Sequence, residues 1–136
     1  MRNRSLARDY ITRAEKRLKA LEALYKEQAW ADVVREAQEV VELALKSLLR
    51  SCNIEAPRTH DVSDVMVAEK ARLPQEVQNE LKRYTEISRQ MRRDRELAFY
   101  GSEDLTPSEF YKESDAKRAQ DDAVWVVKSL LACLKV

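Results

Sequence analysis

One glycine, one histidine, two cysteines and three prolines are all that 136 residues hold of the types that break helices, bind zinc through nitrogen or sulfur, or staple small folds. Each scarcity excludes something. A single glycine rules out a Gly-rich phosphate loop or a dinucleotide fingerprint, and no G-x-S-x-G elbow or H-E-x-x-H pair is present. Cys52 and Cys133, with His60 alone beside them, form no C-x-x-C pair and cannot make an ordinary structural zinc site, so two free thiols and no metal or cofactor are expected. No apolar run approaches the roughly 18 residues of a membrane span, and Met1-Arg2-Asn3-Arg4 leads into a charged helical pattern rather than a leader, so a cytoplasmic protein without membrane contact is expected. Charge of one sign is also missing. Lys+Arg 25 against Asp+Glu 24 leaves +1, too little for a protein that wraps duplex nucleic acid but compatible with a local basic patch.

What is present is helix-forming. Ala7, Ile11, Ala14, Leu18, Leu21 and Tyr25 recur in steps of four and three, one stripe of an amphipathic helix. Trp30, Val33, Val34, Ala37, Val40, Val41, Ala44, Leu45, Leu48 and Leu49 make a much wider face, as expected of a central helix or one shared with a second copy. Lys26-Glu27-Gln28-Ala29 separates the two without Gly or Pro, and a turn there lets both stripes be buried in one domain. Pro57-Arg58-Thr59-His60-Asp61 reads as a loop, and a short helix follows through Val62, Val65 and Met66 to about Lys70. Pro74 opens a long helix with Val77, Leu81, Tyr84, Ile87 and Met91 inward, stopped by Gly101. Thr106-Pro107-Ser108-Glu109 is a capping box that starts the last helix, with Phe110, Ala116, Ala119, Ala123, Val126, Val127, Leu130 and Leu134 inward. The expected fold is all-α: one domain over residues 1–136, an antiparallel four-helix-type bundle with one additional short helix.

The segment Arg92-Arg93-Asp94-Arg95-Glu96-Leu97-Ala98-Phe99-Tyr100-Gly101 carries the candidate chemistry. Stepping along the seam through Leu81, Tyr84, Ser88 and Met91 arrives at Arg95, then Ala98, so a cation is expected among apolar neighbours. Two roles suit it. Its head either pairs with a carboxylate, Glu42 being the natural partner, or stays free to hold phosphate in its planar fork, with Arg92 beside it. Tyr100 is placed to stack on a base or donate to a phosphate, and Phe99 to cap the core. Tyr111 either joins Tyr100 across the loop or packs in the core, and packing is the preferred reading. His60 is the one side chain suited to proton transfer near neutral pH, although its polar loop favours a surface role.

Together these pieces resemble the HEPN family (higher eukaryotes and prokaryotes nucleotide-binding), of the short stand-alone prokaryotic type. Trp30, Ala37-Gln38 and Val41-Glu42-Leu43-Ala44-Leu45-Lys46-Ser47-Leu48-Leu49 are similar to its second helix, Pro57-Arg58-Thr59-His60-Asp61 to the turn that follows, and Asp94–Gly101 with Pro107 and Tyr111 to its later half. The resemblance implies a helical homodimer whose cleft is lined by an arginine, acting with a minimal nucleotidyltransferase, often as a toxin–antitoxin pair. Its RNA-cleaving members carry Arg, four to six residues, then His. Arg95 matches the arginine, but the slot after it holds Tyr100, and those counted from Arg93 hold Ala98, Phe99 and Tyr100, none of them His. The expectation is therefore a homodimeric nucleotide- or phosphate-binding module using Arg95, Arg92, Tyr100 and Tyr111, supported by Glu42, with nucleotide or RNA as ligand. The alternatives are a ribonuclease toxin using Arg95 with Tyr100 or His60, and a purely structural interaction module.

Overall fold

In the computed structural model, residues 2–55, 61–101 and 105–135 are described, apart from the side chains of Glu96 and Phe99. Four long helices, α1 (Arg2–Lys26), α2 (Trp30–Ser51), α5 (Leu81–Tyr100) and α7 (Glu113–Cys133), form the bundle. Short α3 (Val62–Ala68), α4 (Gln75–Asn79) and α6 (Pro107–Phe110) and a 3-10 turn at Lys70–Arg72 fill the connections. No strand occurs among the described residues, and no helix is long and apolar enough to cross a membrane.

Pairings along the chain show the direction of packing. Ser47 donates to the Ala7 carbonyl at 2.6 Å, Arg17 meets Glu36 at 2.9 Å, and Tyr25 packs edge-on against Trp30 at 4.9 Å, so α1 and α2 run antiparallel. Tyr84 lies against Trp125 and Asp94 against Arg118, so α5 and α7 do too. The wide face of α2 is buried within this one chain, by α1 on one side and α5 and α7 on the others. Its breadth therefore needs no second copy to cover it.

Two helices, α1 and α2, end on a left-handed residue that is not glycine. At the end of α1, Gln28 takes φ 58°, its N–H donates to the Tyr25 carbonyl and that of Ala29 to the Leu24 carbonyl. Asn53 does the same after α2, with φ 58° and the buried Ile54 N–H on the Leu49 carbonyl. Both are Schellman turns with an amide residue at the position usually given to Gly. The helix expected to run from Pro74 is interrupted at Glu80, where φ −112° and ψ 19° separate α4 from α5. The last helix is likewise broken: the Thr106–Glu109 capping box starts only α6, and extended backbone at Tyr111 and Lys112 precedes α7. Phe110 is consequently turned outward and 38% exposed, against the inward position expected of it.

Gly101 ends α5 at φ 82° and ψ −171°, a region essentially reserved for glycine. A β-carbon there would lie 2.5 Å from the Leu105 carbonyl oxygen and 2.9 Å from the Pro107 ring. Gly101→Ala is expected to lower stability by about 2 kcal/mol or more. Urea unfolding measures this, and an unchanged midpoint would show that the turn has room to relax.

Candidate functional site

The seam of α5 passes through Tyr84, Ile87, Met91, Asp94 and Ala98, all buried. It does not pass through Ser88 and Arg95. At 3.6 residues per turn, both 94 and 95 lie near the continuation of Met91, and the fold takes the shorter acid inward while Arg95 is exposed. This corrects the expectation that Arg95 points into the apolar seam. The reason is the supply of donors around Asp94. Tyr111 donates its hydroxyl to Oδ1 at 3.0 Å, Gln90 donates Nε2 to Oδ2 at 3.1 Å, and Arg118 reaches Oδ2 at 3.4 Å. A carboxylate accepts several such bonds at once, whereas a guanidinium in the same place would need acceptors that the seam lacks.

Tyr111 is thereby committed to the interior. It is 2% exposed, and burial first, then the hydrogen bond to Asp94 and its charge, push its hydroxyl well above the ordinary tyrosine range. Tyr100 is 76% exposed, so Tyr111 takes the core position preferred for it and the alternative of joining Tyr100 is not met. Tyr100 and Arg95 are not brought together either. Five residues apart on one α-helix, they point about 140° apart around its axis.

Arg95 does face Glu42, though without an ion pair. Glu42 is held by Lys46 at 3.1 Å and accepts from Gln38 Nε2 at 2.9 Å. Burial works to raise the Glu42 carboxyl, but Lys46, Gln38 and the charge of Arg95 outweigh it and hold the group below the usual carboxylate range. Arg92, exposed and one turn before Arg95, presents its charge towards Asp61 at the N-cap of α3. Burial also opposes ionisation of Asp61, and the hydroxyl and N–H of Ser63 together with Arg92 and Arg89 reverse it. Arg89 meets Asp64 at 3.6 Å and Arg93 donates to Gln90 at 2.6 Å. Of the arginine run, Arg92 and Arg95 thus remain as exposed neighbours, three residues apart on one face. His60 and the side chain of Phe99 lie outside the described residues.

The profile of the HEPN domain matches residues 7–132. The chain belongs to the HEPN family. Its fold agrees with a solved crystal structure, that of ST0689, an archaeal HEPN homologue, at TM-score 0.68 and 24% identity over 95% of this chain and 98% of that one. No curated protein matches the sequence significantly. Within this HEPN domain the residue that the sequence reading passed over is Asp94. Its signal was present in the alternating three- and four-residue steps from Tyr84, which reach Asp94 through Ile87 as readily as they reach Arg95 through Ser88.

The Asp94 contacts are expected to act as a unit. Asp94→Ala leaves the Tyr111 hydroxyl only the backbone carbonyl of residue 94, at 3.4 Å, and lowers stability by about 2 kcal/mol, whereas Tyr111→Phe removes its hydrogen bond to the carboxylate and costs about 1 kcal/mol. In a double-mutant cycle by chemical denaturation, the pair falls short of additivity by roughly 0.5–1 kcal/mol. Strict additivity would mean that the 3.0 Å contact contributes no coupling.

Proposed function

We propose that this HEPN protein is a non-hydrolytic nucleotide- or phosphate-binding module. It works in the cytoplasm as a homodimer beside a nucleotidyltransferase-type partner, in a toxin–antitoxin-like pair. The observation that carries the reading is the state of Arg95. It is exposed at the rim between α5 and α2, and the nearby Glu42 is already engaged by Lys46 and Gln38. Its fork is therefore available for a phosphate, and Arg92 one turn away supplies a second positive group on the same helix face. This also argues against a purely structural role in which Glu42 neutralises the arginine. The ribonuclease alternative has less support, because no histidine follows Arg93 or Arg95 at the family spacing and Tyr100 projects away from Arg95.

Calorimetric titration with ATP, GTP and a short single-stranded RNA tests the proposal. Binding by the wild type is expected, weakened about 10–100-fold by Arg95→Ala, the range for one lost charge-assisted contact. The RNA is expected to stay intact throughout. Absence of binding by the wild type, or equal binding by the variant, removes Arg95 from any phosphate site. Cleavage abolished by Arg95→Ala would establish the ribonuclease instead.

A further inference from the structure

The start of α1 and the end of α2 meet in a cleft of about 360 Å³ lined by Arg2, Asn3, Arg50, Asn53 and Glu55. Two helices and the turn after α2 build it, and every lining side chain is polar. Three of these side chains are tied in series. Half-buried Arg50 donates Nη1 to Asn3 Oδ1 at 3.0 Å, and Asn3 donates Nδ2 to Asn53 Oδ1 at 3.1 Å. Asn53 presents its amide from the left-handed turn, at φ 58°. From the 3-10 turn, Arg72 donates to the carbonyls of Cys52 and Asn53 at 3.2 and 2.8 Å. The negative end of α2 is thereby covered before it can repel an anion.

We propose that this cleft binds a phosphate dianion. The argument is an excess of unspent donors. The series of hydrogen bonds uses one nitrogen of Arg50 and one N–H of Asn3. The second Nη of Arg50, the Asn53 Nδ2 and the whole fork of exposed Arg2 are left without acceptors among the described residues. Guanidinium forks and amide N–H groups are the donors that an oxyanion takes. The one acid in the lining is Glu55, 85% exposed and 3.8 Å from Arg50, a loosely held counter-ion that a stronger anion displaces. The first turn of α1 holds no acidic residue, and the positive end of that helix adds to the pull. The lining also limits the ligand. No aromatic or aliphatic side chain is present for a base to stack on, so the phosphate itself is what the cleft recognises. No residue of α5 lines it, so this site is separate from Arg92 and Arg95 and does not rest on the reading given to them.

Nitrogen-15 amide spectra of the full chain, titrated with sodium phosphate and with sodium chloride at equal ionic strength, test the inference. Phosphate, and not chloride, is expected to shift Asn3, Arg50 and Asn53 in a saturating manner. Arg2→Gln is expected to weaken this binding about tenfold, as one charge-assisted contact is lost. Glu55→Gln removes the competing carboxylate and is expected to tighten binding about two- to fivefold. Both substitutions alter exposed side chains, and effects of opposite sign do not arise from a general loss of folding. Equal shifts with chloride, a response that does not saturate, an Arg2→Gln variant that binds as well as the wild type, or a Glu55→Gln variant that binds no tighter overturns the inference. Arg95→Ala is expected to leave these shifts unchanged, and their loss in that variant would place the phosphate at Arg95 and overturn the second site. Failure here leaves the reading of Arg92 and Arg95 standing, since that reading is tested by the effect of Arg95→Ala on nucleotide affinity.

Discussion

A single buried carboxylate organises the end of the molecule that matters. Asp94 sits in the α5 seam at 7% exposure and draws to itself a tyrosine from the segment joining α6 to α7, an arginine from α7 and a glutamine from its own helix. Without those donors a buried carboxylate would cost several kcal/mol. With them it ties three parts of the chain to one point. The last turns of α5 are thereby fixed against α7, and the arginines flanking Asp94 inherit a defined direction. Arg92 and Arg95 are outside because Asp94 is inside.

The turn beyond that point is built to match. Gly101 adopts a backbone conformation closed to other residues so that Leu105 and Pro107 can pack directly over it. The Thr106–Glu109 capping box then starts a helix of only one turn, after which extended backbone aims Tyr111 back at Asp94. Had α6 continued into α7 without a break, Tyr111 would have followed the helical spiral. The interruption at Tyr111 and Lys112 is thus the local counterpart of the buried acid.

Much of this was legible in the sequence, and the failures are instructive. The stripes of α1, α2 and α7, the short helix through Val62 and Met66 and the Thr106 cap all follow from periodicity and capping chemistry that act over a few residues, while the loop reading of residues 57–60 lies outside the described residues. The bundle and the family follow from them. The ends of α1 and α2 were harder to read, because Gln28 and Asn53 fill positions where glycine is the usual signal. Arg95 was misplaced for a different reason. Helical periodicity cannot separate residues 94 and 95, and the choice depends on Tyr111 and Arg118, whose proximity is a tertiary fact. The breadth of α2 admitted either a central place or a partner chain, and its position among α1, α5 and α7 decides for the first. At the candidate site, the residue types were visible and their directions were not.

The central claim is that Asp94 holds the arginine-bearing end of α5 in one orientation. Backbone order parameters from nitrogen-15 relaxation test it most directly, since they report local order independently of global stability. In the wild type, residues from Arg92 to Gly101 are expected near the value of about 0.85 typical of rigid backbone. In Asp94→Ala the residues from Arg95 to Gly101 are expected to fall towards about 0.6 while α2 keeps its values. Unchanged order at the end of α5 in that variant, or low order there already in the wild type, would contradict the account.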